Sequence, residues 1–127
     1  MAISKEKKVN TVYIGYDPKE KVAAQLLKYL IEANSPKDVI VKFLRKDVLE
    51  HMNMLYRSYE VINNQMIDSI DQTAFSSEFT FSRFLVPALM QYEGWALYLD
   101  CDMYPRTDVN EIFEEYNDEF YPLYCVK

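Results

Sequence analysis

The sequence predicts an α/β fold with a mainly parallel sheet flanked by helices, and three observations carry that reading. Residues 11–16 (TVYIGY) form an apolar run closed by Gly15 and the turn pair Asp17-Pro18. Residues 19–33 then place apolar side chains at 23, 26, 27, 30 and 31, the spacing of a helix with one buried face. Residues 39–44 (VIVKFL) are rich in branched side chains and follow the helix-stopping run Asn34-Ser35-Pro36. Strand, helix and strand joined by short punctuated connections define a βαβ unit, whose two strands run parallel.

The rest of the chain extends this pattern less evenly. Residues 46–73 show no clean period and read as loop-rich, with a helical turn or two within 46–59 and another within 61–69. Ser76 and Ser77 precede residues 79–91, which read as a serine-capped helix kinked or closed by Pro87. Ala96-Leu97-Tyr98-Leu99 is a short apolar strand between Gly94 and Pro105. Asp108 to Glu111 fits an acidic cap before a short helix through Tyr116. Residues 120–126 read as a last strand, interrupted near its start by Pro122.

Composition narrows the function classes. With 127 residues, half of them hydrophobic, the chain makes at most one domain with a real core. Its formal net charge of −6 leaves no broad basic face, which disfavours nucleic acid as a partner. From Asp100 onward, eight acidic residues face only Arg106 and Lys127. The opening MAISKEKKVN has no apolar leader, and the longest apolar run, 84–90, is far short of the roughly 20 residues that cross a bilayer. The two cysteines, Cys101 and Cys125, fit no zinc spacing; a reduced thiol in a cytoplasmic protein without a transmembrane segment is the expectation.

The chemistry is concentrated at Asp100 and Asp102, at the end of the 96–99 strand. In an extended chain, side chains two apart share a side, so both carboxylates face one way and Cys101 the other. Two hard oxygen ligands suit Mg²⁺ or Mn²⁺ carrying a phosphorylated ligand. Paired carboxylates also repel each other unless something neutralises them. In open α/β sheets, ligands bind beyond the carboxyl ends of the strands, where strand order reverses. Gly15, Tyr16 and Asp17 occupy that end of the first strand. Gly15 leaves room for a flat ligand, Tyr16 offers a stacking face, and Arg83 adds a planar cation. Together they describe a nucleotide-diphosphate site with its own metal.

Each of these residues has a plainer reading too. Gly15 and Asp17 serve equally well as a turn, Tyr13 as a core side chain, and Arg83 as one half of a salt bridge. His51, the single histidine, reads as a surface residue and Trp95 as core.

The segments VYIGYDPKEKVA and FSSEFTFSRFLVPALMQYEGWALYLDCDMY resemble the nucleotide-sugar glycosyltransferases of the GT-A fold, nearest to family 8-like bacterial and phage enzymes. The resemblance implies a Rossmann-like nucleotide-diphospho-sugar transferase fold and spans nearly the whole chain as a single, partial domain. It implies that Asp100 and Asp102 hold Mn²⁺ or Mg²⁺ against the donor diphosphate, Asp100 also facing the ribose. By the same resemblance Tyr13, Gly15, Tyr16 and Asp17 line the nucleoside pocket, and Arg83 approaches the donor or Asp100. The implied activity is transfer of a sugar from a nucleotide diphosphate, UDP above all, to a glycan, protein or small-molecule hydroxyl. Family members run well past the position of Lys127, in a part that brings the acceptor pocket and a further metal ligand, commonly a histidine. A donor-binding part alone is also consistent with a non-catalytic nucleotide-sugar module, and its open sheet edge favours self-association.

A rival enzyme class is the haloacid-dehalogenase-like phosphatases, which also carry Asp-x-Asp after an apolar strand with the first carboxylate as nucleophile. Tyr104 stands where that motif usually has Thr or Val, and only 25 residues follow Asp102 to supply its later lysine and acids.

Overall fold

The computed structural model describes residues 8–127; residues 1–7, at the polar start of the chain, lie outside the described part. Its centre is β1 (Asn10–Gly15), with Val12 and Ile14 fully buried. β2 (Val39–Leu44) and β5 (Ala96–Leu99) flank it, both parallel to it, giving the order β2-β1-β5. Ile14 is level with Phe43 on one side and Leu99 on the other. A strand paired on both edges and covered on both faces needs apolar side chains of both parities, which is why residues 12–14 form a continuous run.

Helices cover both faces of the sheet. On one face α1 (Lys21–Ala33) presents Ala24, Leu27 and Ile31 to Val12 and Ile14. α4 (Asn110–Glu115) closes the same side through neighbouring Val109 and its own Phe113. On the other face Tyr13 and Leu44 meet Leu49 of α2 (Lys46–His51) and Val86 of α3 (Val86–Leu89). The result is an α/β layer structure compatible with a Rossmann-like arrangement. In α1 the buried stripe is 24-27-31, one position round from the expected face, and Leu26 is exposed.

The turn chemistry agrees with the sequence at both ends of this first unit. Asp17 Oδ1 accepts the Lys19 N–H at 3.0 Å and caps a 3₁₀ turn, Pro18–Glu20, that leads into α1. At the far end Asn34 Nδ2 donates to the Leu30 carbonyl at 2.9 Å, and the Ser35 hydroxyl to that of Ile31 at 2.6 Å. Asp108 accepts the Asn110 N–H at 3.0 Å ahead of α4, as an acidic cap should.

Three expectations fail. Residues 61–69 hold no helical turn; they lie in an antiparallel hairpin of β3 (Tyr59–Ile62) and β4 (Gln65–Asp68). Asn63 and Asn64 both adopt positive φ, 51° and 62°, the backbone of a two-residue hairpin turn whose twist matches that of the strands. The helix expected over 79–91 is a run of turns, then a 3₁₀ turn Ser82–Leu85 and the four-residue α3. Pro87 falls in the first turn of α3, where its missing N–H is harmless. Residues 120–126 form no strand. The Asp118 side chain and carbonyl take the Phe120 and Tyr121 N–H groups, both at 3.0 Å, and Pro122 has none to offer. The Tyr124 ring instead packs at a tilt against Trp95, with centroids 5.5 Å apart, and Trp95 is half-buried at the sheet edge rather than in the core.

The hairpin is tied by one buried ion pair. Asp68 is fully buried, pairs with Arg57, and accepts the Ile70 and Asp71 N–H groups at 2.8 and 3.1 Å. The Arg57 hydrogen bond, followed by the two backbone donors, outweighs burial and holds the carboxyl at about 2. A depressed carboxyl stabilises the fold above its unfolded value, near 3.8, and that contribution is lost as pH falls through about 2. The stability difference between the native chain and Asp68→Asn should therefore be constant above pH 4 and shrink between pH 4 and 2. Urea denaturation at a series of pH values measures it.

Candidate functional site

The order β2-β1-β5 makes the gap between β1 and β5 the point where the chain's crossovers part to opposite sides. At the carboxyl end of β1 stand Gly15, Tyr16 and Asp17; at that of β5 stand Asp100 and Asp102. Because Ile14 pairs with Leu99 in a parallel ladder, Gly15 and Asp100 are the next residues along each strand. The structure thus brings the sequence-predicted groups of both strands to one rim.

The strand-parity argument for the two carboxylates does not survive. β5 ends at Leu99, and the Met103 N–H returns to the Asp100 carbonyl at 3.3 Å, so residues 100–103 form a turn. Alternation of side chains applies only while the chain is extended. Within the turn, Asp100 is half-buried and accepts the Tyr98 hydroxyl on Oδ1 at 2.8 Å, whereas Asp102 is exposed. Cys101 between them is buried, and its thiol donates to Glu20 Oε2 at 3.1 Å. Burial, then that contact, pushes the thiol up to about 12, so it is a protonated anchor between this turn and the start of α1. Cys125 is exposed, and both cysteines are free.

Gly15 makes room for the protein itself. A Cβ there would lie 2.5 Å from the Tyr98 hydroxyl and 2.7 and 2.8 Å from two Phe79 ring carbons. The flat group that approaches this backbone on that side is therefore a pair of aromatic side chains. Burial first, then the Asp100 carboxylate, raises the Tyr98 phenol well above its ordinary value, keeping it a donor.

The remaining predicted residues divide by their commitments. Tyr13 is 3% exposed, with its hydroxyl 3.6 Å from Met90 Sδ; it packs in the core and does not reach the rim. Asp17 is buried, and its second oxygen accepts the Glu78 N–H at 3.2 Å, tying the end of β1 to the loop that carries Phe79. Tyr16 packs on Phe43, and the Arg45 guanidinium lies 5.4 Å from its ring, with Asp47 holding Arg45 at 2.9 Å. Arg83 is exposed, donates from Nε to the Thr80 carbonyl at 3.2 Å, and makes no ion pair among the described residues. Its guanidinium lies over the Phe84 ring, 5.6 Å from the centroid, and the structure shows no contact between it and Asp100 or Asp102 among the described residues. His51 is exposed, as expected.

Sequence reasoning missed a charged group just behind the rim. Lys46, 8% exposed, donates to Tyr59 Oη at 2.7 Å and to Glu50 at 3.0 Å. Burial alone would lower its pKa, but the Tyr59 hydroxyl and the Glu50 carboxylate outweigh it and raise the ammonium above its ordinary value. Glu78 lines a small cavity together with Lys46, Glu50 and Tyr59, and its carboxyl is raised chiefly by burial, against the pull of Lys46. The available signal was Lys46 and Glu50 at i,i+4 directly after an apolar strand.

No group of three or more potential metal ligands is assembled among the described residues. The chemistry of the donor set still fits a hard divalent cation. Mg²⁺ and Mn²⁺ are commonly held by one or two carboxylates, with phosphate oxygens and water completing the shell. Among the described residues Asp102 makes no side-chain hydrogen bond or ion pair and Asp100 keeps one oxygen free, so these two carboxylates are the oxygen donors the rim has to offer.

Fold and rim thus define a class: an α/β chain with a parallel sheet and a polar site at its switch point. The chain is 32% identical over 124 residues to the protein named "Protein CDI" of Arabidopsis thaliana. The match takes in 98% of this chain and 43% of that relative, so the chain spans less than half of its length. No protein-family model matches, and no solved structure matches. No helix among the described residues is long and apolar enough to cross a membrane.

Gly15→Ala should destabilise the chain by about 1–3 kcal/mol, the usual cost of forcing a methyl group into packed surroundings. Chemical denaturation measures the loss. Near-ultraviolet circular dichroism should change with it, because Tyr98 and Phe79 must both move.

Proposed function

We propose that this chain is the donor-binding part of a metal-dependent glycosyltransferase of the GT-A type, taking a nucleotide-diphosphate sugar, with UDP as the nucleotide. One observation carries the reading: two incompletely committed carboxylates beside the carboxyl end of the central strand, at the switch point of a parallel sheet. The resemblance of the DxD segment and of the opening strand to family 8-like enzymes supports it.

The chain's own groups would divide the work. Asp100 and Asp102 would hold Mn²⁺ or Mg²⁺, with the diphosphate filling its remaining positions. When bound, such an ion offsets the charge that gathers on the leaving diphosphate. Arg83, exposed and without an ion pair among the described residues, would supply a planar cation to the same phosphates, as the resemblance implies. Tyr16, with Arg45 against its ring, offers the nucleoside an aromatic edge at the end of β1. Asp17, bound to two backbone N–H groups, shapes this edge by fixing the adjoining loop. The acceptor hydroxyl and its pocket belong to the part of the enzyme beyond this donor half.

Calorimetric titration of the 127-residue chain with UDP, with and without Mn²⁺, tests the proposal. UDP should bind only with the metal, and Asp102→Asn should weaken that binding by about 100-fold or more, about 2.8 kcal/mol. Affinity that is the same with and without Mn²⁺, or untouched by Asp102→Asn, overturns it.

A further inference from the structure

Tyr98 lies in β5 and Asp100 is the first residue beyond its end, and the side chains of the two meet there. Their contact, phenol hydroxyl to Oδ1 at 2.8 Å, is the single side-chain hydrogen bond to Asp100 among the described residues. The hydroxyl occupies the space above the Gly15 backbone, where any larger residue would put its Cβ within 2.5 Å of it. Phe79 crowds the same spot, and its loop is tied to β1 through Glu78 and Asp17. A phenol has one proton to give, and the acceptor within reach of this one is Asp100 Oδ1.

We infer that Tyr98 is a positioning residue for Asp100: confined over Gly15, its hydroxyl commits Oδ1 and leaves Oδ2 as the oxygen that meets a divalent cation. This rests on the reading of the rim as a metal and diphosphate site. It assigns Gly15 a definite task, since the glycine exists to admit the hydroxyl rather than the nucleotide. It also explains how a turn residue, no longer held by the β-ladder, keeps one carboxylate orientation. A hydrogen bond from outside the coordination shell both restricts a ligand's rotation and sets which oxygen is the better donor to the metal.

Tyr98→Phe separates this role from a packing role, because the ring stays and only the hydroxyl leaves. Mn²⁺ affinity in the presence of UDP should be read by calorimetry for the native chain, Tyr98→Phe and Asp102→Asn. Thermal midpoints of the metal-free proteins serve as the control for folding. The expected result is a loss of about 10- to 100-fold in Mn²⁺ affinity for Tyr98→Phe, beyond any change in the metal-free midpoint. Native Mn²⁺ affinity in Tyr98→Phe, with Asp102→Asn deficient, overturns the role of Tyr98 and leaves the metal site standing. A native chain that binds no Mn²⁺ with UDP overturns both. If Tyr98→Phe melts early, Phe79→Leu loosens the same confinement with the hydroxyl retained; unchanged Mn²⁺ affinity there also overturns the inference.

Discussion

Everything at the rim depends on β1 being hydrogen-bonded in parallel on both of its edges. Parallel pairing aligns the carboxyl ends of β1, β2 and β5, so the residues leaving each strand emerge together. With antiparallel β5, Asp100 would emerge at the opposite end from Gly15. The condition for this arrangement is the burial of Val12 and Ile14 under α1 and α4, and of Tyr13 under α2 and α3. Core packing and site geometry therefore share one strand, and a change that shifts β1 is felt at the rim.

The second constraint is local. Gly15, Tyr98 and Phe79 meet more closely than any other residue at position 15 would permit. That meeting joins three segments distant in sequence: the end of β1, the end of β5 and the loop before the 82–85 turn. Asp17 reinforces the tie between the first and third of these by accepting the Glu78 N–H, and Cys101 adds a further connection through Glu20. A polar rim on short loops is thus anchored by contacts directed back into the protein. Such loops would otherwise be the first part of the fold to open.

The parts legible in the sequence were those where one local rule decides the outcome. Residues 10–44 show an apolar run, a helical period and turn residues in agreement, and the βαβ unit emerged as expected apart from the one-position rotation of the α1 stripe. The hairpin was missed because its signal is two asparagines at positive φ, not an alternating pattern, and β3 is mostly exposed. The expected helix at 79–91 failed because serines suggest a cap wherever they occur, whereas the backbone follows Pro87 and the tertiary pull on Phe79. At the site, the position of Asp100 and Asp102 after an apolar strand singled them out, but the turn at 100–103 set their surroundings. Gly15 was visible as an opening; what fills the opening, a tyrosine 83 residues away, is a fact of register alone.

The charged groups of this chain differ in how far the protein itself commits them. Asp68 is fully buried and fully paired, Lys46 nearly buried with two partners, and Asp17 buried on two N–H groups. Isolated buried charges are costly, so these groups exist only with their partners in place, and they have little left to offer a ligand. Asp102 and Arg83 are the reverse: both exposed, and neither in an ion pair among the described residues. Asp100 lies between the two kinds, one oxygen held by Tyr98 and the other open. That half-commitment is what a ligand-holding carboxylate requires, since it must be oriented by the protein and still have an oxygen to give.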